Sequence, residues 1–127
     1  MRRILCVGVG GGIGSLLRYG MQVWIQNRLG AALPYGTLLV NVSGAFAIGL
    51  LMAVLLNHLD LAVEWRLFFV VGILGGYTTF SSFMWEAHEL VRAGGWWPGT
   101  AYVMSSIIGG AIGVCGGVWV GRWVNFS

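Results

Sequence analysis

Gly75-Gly76-Tyr77-Thr78-Thr79-Phe80-Ser81-Ser82-Phe83 is the stretch on which the reading of this chain turns. It lies in the window Leu67 to Trp85, which contains no Asp, Glu, Lys or Arg. A bilayer-crossing helix needs roughly 20 apolar residues, and this window can supply them. Two adjacent glycines loosen a helix. Four hydroxyls and two phenylalanines then fill the six positions after Tyr77. Lipid does not tolerate unwound backbone unless protein buries it or a polar cavity requires it. Broken helices near the midplane are where transporters and channels hold ions. The stretch therefore predicts a protein that moves a small ion.

The rest of the chain agrees with a membrane setting. Of its 127 residues, 57% are hydrophobic and 9% charged, with a mean hydropathy of +0.82. A typical soluble domain is about 25% charged, and one this small could not hide so much apolar surface. Leu29 to Leu59 and Ala93 to Gly121 are also free of Asp, Glu, Lys and Arg. The window Ile4 to Leu17 is shorter and continues through Arg18, which places that arginine within or near the membrane. The expected fold is an all-α membrane protein, a single four-helix transmembrane domain over 1–127. Its spans are expected at about 3–27, 36–57, 66–91 and 99–123, the third of them broken. Arg2 and Arg3 precede an apolar run, as in a secretory signal. The run is interrupted by glycine and shows no small-residue cleavage pattern, so it reads as a retained span.

The formal charge of +3 is carried by seven arginines without a lysine. They are dispersed over loops and helix ends, which argues for membrane flanks and against nucleic acid. With four spans, Arg2, Arg3, Arg66 and Arg122 fall on one side, and Arg18, Arg28 and Arg92 on the other. Four against three scarcely orients the chain, which permits antiparallel pairing of two copies. Cys6 and Cys115 lie in apolar windows without metal-ligand spacing and are expected to be buried free thiols.

Glycine is abundant and helically spaced. Gly8 and Gly12, Gly10 and Gly14, and Gly109, Gly113 and Gly117 stand four apart, and Gly44 stands five before Gly49. Small residues at such intervals let helices approach closely in lipid. Gly94-Gly95 is expected to end the third span, and Pro98 to open the fourth after the interfacial pair Trp96-Trp97.

Several patterns are weaker than they look. Gly8-x-Gly10 lacks the third glycine of a dinucleotide fingerprint, and the first acid is Asp60. Asn41-Val42-Ser43 fits a glycosylation acceptor but lies inside the second span. Asn41 itself must find partners there, either on another helix or along an ion path. Phe80 and Phe83 share a helix face, beside Thr79 and Ser82. Aromatic edges are partially positive, so rings and hydroxyl donors together could replace the water around a small anion. Glu86 and Glu89 flank His88 without a catalytic constellation and read as a polar patch near an aqueous mouth, so no enzyme is expected.

Taken together, Gly14-x-x-x-Arg18, Gly36-Thr37-x-x-Val40-Asn41-x-x-Gly44 and Gly72-x-x-Gly75-Gly76-x-Thr78-Thr79-Phe80-Ser81-Ser82-Phe83-x-x-Glu86 resemble the Fluc (CrcB) family of small fluoride channels, over essentially the whole chain. The resemblance implies a dual-topology antiparallel homodimer with two fluoride pores in a bacterial inner membrane. It implies that Asn41, Phe80 and Phe83 line the pore, with Thr79 and Ser82 on a polar track beside it. Tyr102 and Ser106 are the implied contributors of the fourth span, and Arg18 the implied vestibule arginine. Backbone carbonyls of Gly75 and Thr78 would hold a structural sodium ion at the dimer centre. Relatives often carry a serine where this chain has Gly110, and smaller residues than Met84 and Trp85. The implied function is passive electrodiffusive export that protects against fluoride toxicity. Two rivals are a proton-coupled multidrug transporter, which needs a buried carboxylate that the first span lacks, and a non-transporting assembly protein, which would not need the polar break.

Overall fold

In the computed structural model the described residues are 1–30, 32–55 and 63–126. The end of the expected second span at 56–57, the linker after it up to 62, and position 31 of the first linker lie outside them. Among the described residues every regular element is helical. Four helical stretches are long and apolar enough to cross a membrane: Arg2–Leu29, Tyr35–Leu55, Val63–Gly94 and Trp96–Val124. Large apolar side chains stand exposed around the molecule, among them Ile4, Leu5, Leu16, Ile107, Ile108 and Ile112, each more than half accessible. That surface suits hydrocarbon and not water.

Helix α1 (Arg2–Leu29) ends where Gly30 takes φ 84, and α2 (Tyr35–Leu55) follows Pro34. The third span is composite. It contains α3 (Val63–Arg66), a π-helical segment Leu67–Leu74, α4 (Gly75–Tyr77), an extended Thr78–Thr79 step and α5 (Phe80–Gly94). Gly95, with φ 83, stops α5. Helix α6 (Trp96–Phe126) then begins two residues earlier than its proline suggests. Pro98 sits inside the first turn, where the missing N–H has no intrahelical partner to lose. The 31 residues of α6 extend roughly 46 Å at 1.5 Å each. This exceeds the ~30 Å hydrocarbon layer, which leaves Trp96 and Trp97 at one end and Trp119 and Trp123 at the other for the interfaces.

The glycine stripes sort into used and unused. Helix α6 lies along α2, its most extensive interface. A Cβ at Gly113 would come 2.9 Å from the Val42 carbonyl oxygen, and one at Gly117 would run into the Phe46 carbonyl. On α1, Gly10 and Gly14 pack against the π segment: a Cβ at Gly10 would lie 2.5 Å from the Phe68 carbonyl oxygen. Gly8 and Gly12, one register over, face nothing. Gly44 and Gly49 serve different neighbours, Tyr77–Thr78 and Val114.

Two expectations are corrected. The glycine pair does not unwind the third span: Gly75 keeps helical angles (φ −64, ψ −36) and Gly76 lies within α4. Gly76 instead permits contact, since a Cβ there would sit 2.5 Å from the Gly11 carbonyl oxygen. The chain leaves the helix three residues later, at Thr78 (φ −80, ψ 157) and Thr79 (φ −148, ψ 124). β-Branched residues favour such extended angles. The cysteines are free, but Cys6 is half-buried and Cys115 exposed, because Cys115 falls on the side of α6 turned away from α2.

Candidate functional site

The extended step breaks the hydrogen-bond ladder, and side chains from two other helices and from the step itself replace it. In an unbroken helix the Thr79 N–H would bond the Gly75 carbonyl, and the Ser82 N–H the Thr78 carbonyl. Here the Thr79 N–H donates to Asn41 Oδ1 at 2.8 Å, and Asn41 Nδ2 donates to the Thr79 carbonyl at 2.9 Å. Both ends of one amide from α2 thus pair with one residue of the break. The orientation of the amide is settled by chemistry, since a backbone N–H can only donate and a carbonyl only accept. Ser82 N–H donates to Thr79 Oγ1 at 3.3 Å, an N-cap for α5. The Thr78 carbonyl is left to Arg18 Nη1 of α1 at 3.4 Å.

Beside this step opens a cleft of about 320 Å³, lined by Asn41, Gly44, Ala45, Ile48, Val70, Leu74, Gly75, Thr78, Thr79 and Phe80. Asn41, Gly75, Thr78, Thr79 and Phe80 are thereby brought together. Phe80 is 75% exposed, whereas Phe83, with its ring centroid 5.9 Å away, is 6% exposed. Phe83 packs on Tyr102 of α6, centroids 5.3 Å apart, within a small core that includes Ala87. The phenylalanine pair therefore runs from an open face into the interior of the helix bundle.

Glu86 proves to be a hub between helices and not a loose patch. Its two carboxylate oxygens accept from Thr37 Oγ1 of α2 at 2.7 Å and from Tyr102 OH of α6 at 2.8 Å. Thr37 Oγ1 in turn accepts from Gln22 Nε2 of α1 at 2.9 Å. Four spans meet in this chain of donors, and charge-assisted bonds of this kind are among the stronger ones. Glu86, Thr37, Gln22 and Ser82 open onto a second, larger cleft of about 730 Å³. Glu89 diverges from Glu86 and pairs with Arg92 at the surface, 3.1 Å apart. Ser106 stands one turn beyond Tyr102, and its Oγ is buried without a hydrogen-bond partner among the described residues. It is a polar atom free to meet a ligand or water.

Sequence reasoning missed Gln22, Gln26 and the role of Thr37. Gln26 ties down the first linker, donating to the Gly30 and Leu33 carbonyls and accepting from the Gly36 N–H. A signal for both amides existed. They stand four apart on one face of a membrane helix, and the demand for partners raised by Asn41 applies equally to them.

The chain matches a family model described as CrcB-like protein, Camphor Resistance (CrcB), over residues 5–118. It is 44% identical over 123 residues to a protein of Chloroflexus aurantiacus named fluoride-specific ion channel FluC, covering 97% of this chain and 98% of that one. A protein of the same name from Solibacter usitatus is 50% identical over 120 residues, covering 94% and 98%. A third, from Roseiflexus, is 45% identical over 119 residues, covering 94% and 96%. The similarity runs through all four apolar helices, the polar break included, and so this multi-pass bacterial membrane protein belongs to the CrcB family.

Proposed function

We propose that the protein conducts fluoride passively across the bacterial inner membrane and so protects the cell from fluoride. The observation that carries this reading is the break at Thr78–Thr79, in a chain whose relatives bear the name of fluoride channels. Fluoride is small and strongly hydrated, so a path for it must offer donors in place of water. Hydroxyls and aromatic rings support this reading: Thr79 Oγ1 donates to Ser82 Oγ and leaves the Ser82 proton for an ion, Ser106 Oγ is buried without a partner among the described residues, and the Phe80–Phe83 pair runs into Tyr102. None of these bears a fixed positive charge, which would bind the anion tightly and slow its release. Fluoride enters a cell as neutral HF when the outside is acidic and ionises in the cytoplasm. The negative membrane potential then drives the anion out with no pump.

The working unit is two antiparallel copies. A single chain leaves Phe80 and the Asn41 cleft open on its face, and the near-balance of arginines across the two sides permits both orientations. Sodium is the proposed structural ion, and the donor set suits it. Hard cations take oxygen ligands, and the broken ladder takes the helical partners from the Gly75 and Thr78 carbonyls beside one cleft, the Thr78 carbonyl keeping a long 3.4 Å contact from Arg18 Nη1 with a second lone pair to spare. Two carbonyls are too few for a cage, so a second copy would supply the rest. When bound, the ion would offset the negative ends of the interrupted helices.

The reading is tested in liposomes loaded with fluoride or chloride and made potassium-permeable with valinomycin. Rapid fluoride release with little chloride release is the expected result. Proton-dependent drug flux would instead favour the transporter, and a folded protein without any flux the assembly role.

A further inference from the structure

We infer that Asn41 acts as a positioning residue for the cation-binding carbonyls, keeping the Gly75 carbonyl out of the helical ladder. This rests on the sodium reading above and goes beyond it, since Asn41 there is only part of an anion path. The Thr79 N–H is the natural partner of the Gly75 carbonyl. Asn41 Oδ1 holds that N–H at 2.8 Å, and Asn41 Nδ2 anchors the same residue through its carbonyl at 2.9 Å. Thr79 is 7% exposed, so its N–H has little water to turn to. A buried donor deprived of its acceptor finds the nearest substitute, and one residue of added helix would give it the Gly75 carbonyl. That added residue of helix would return the Gly75 carbonyl to the ladder, beside the cleft that Gly75 and Thr78 line. The amide thus ties the anion wall to the cation oxygens through a single residue of backbone.

The two substitutions at this position separate the roles. Asn41→Ala removes the acceptor. Asn41→Asp keeps an acceptor for the Thr79 N–H, loses the donor to the Thr79 carbonyl and adds negative charge. The experiment measures thermal unfolding of the purified full-length protein against sodium concentration, with ionic strength held constant by a bulky organic cation. In the unsubstituted protein sodium raises the unfolding temperature. The inference expects Asn41→Ala to need about tenfold more sodium for half of that rise, the factor for one hydrogen bond's worth of positioning. Asn41→Asp is expected to keep the original midpoint or a lower one while its fluoride flux falls. Should Asn41→Ala fail to elute as a folded species, Asn41→Asp still decides: a lost sodium response there overturns the inference. An unchanged midpoint in folded Asn41→Ala overturns it while leaving the sodium reading intact. No sodium response in the unsubstituted protein overturns both.

Discussion

The α2–α6 seam and the break in the third span both bring helices into close contact, but by opposite means. At the seam Gly113 and Gly117 remove side chains so that α6 rests on the Val42 and Phe46 carbonyls. Those carbonyls keep their places in a regular helix. At the break, backbone groups leave the ladder and are met by side chains: Asn41 at Thr79, Arg18 at Thr78 and Thr79 Oγ1 at the Ser82 N–H. The seam gains stability from van der Waals packing, the main source of helix association in lipid. The break costs regular hydrogen bonds and gains oriented polar groups. Close packing alone makes a scaffold, and only the region that departs from it can handle an ion.

That contrast predicts that variants at the break alter flux in a folded protein, whereas variants at the seam alter folding before they alter selectivity. The largest effect is expected from Phe83→Ile, with Phe80→Ile similar. Either should lower fluoride efflux by about two orders of magnitude, or about 3 kcal/mol on the barrier, with an unchanged elution profile. Undiminished efflux from proteoliposomes would remove the pair from the pore. Next comes Gly117→Ala, whose methyl meets the Phe46 carbonyl. It should destabilise the seam by about 1–3 kcal/mol, read as a lower unfolding temperature, with the fluoride-to-chloride ratio of the remaining folded protein intact. Glu86→Gln keeps the shape of the hub but weakens the bonds from Thr37 and Tyr102. One of the two accepting oxygens becomes an NH2 donor facing a hydroxyl donor, and the other loses its charge, which should cost about 1–3 kcal/mol and slow efflux several-fold. The smallest effect is expected at Gly8, where a Cβ meets nothing within 4 Å. Gly8→Ala should leave the unfolding temperature of the isolated chain within a degree or two, by the ordinary scale of small surface changes. If it disrupts association of two copies instead, the unused stripe of α1 belongs to the interface between them.

Hydropathy and charge-free windows pointed to four apolar spans, and the described residues hold four helical stretches long and apolar enough to cross a membrane, because the bilayer imposes a length and a solvent that each segment must satisfy by itself. The motif around Thr78–Thr79 was legible for the same local reason, as a dense polar run inside an apolar span. Which residues unwind was not: the glycine pair looked responsible, yet it packs on α1 while the threonines extend. Nor could spacing tell the used stripe Gly10–Gly14 from the idle stripe Gly8–Gly12. Asn41, Gln22 and Glu86 each declared by their chemistry that a partner must exist. The partners, at Thr79, Thr37 and Tyr102, lie on other helices and are chosen by how those helices rotate and settle against one another. A sequence states locally what each segment demands of its solvent. The pairing of buried polar groups is a demand between segments, and the tertiary structure alone decides how it is met.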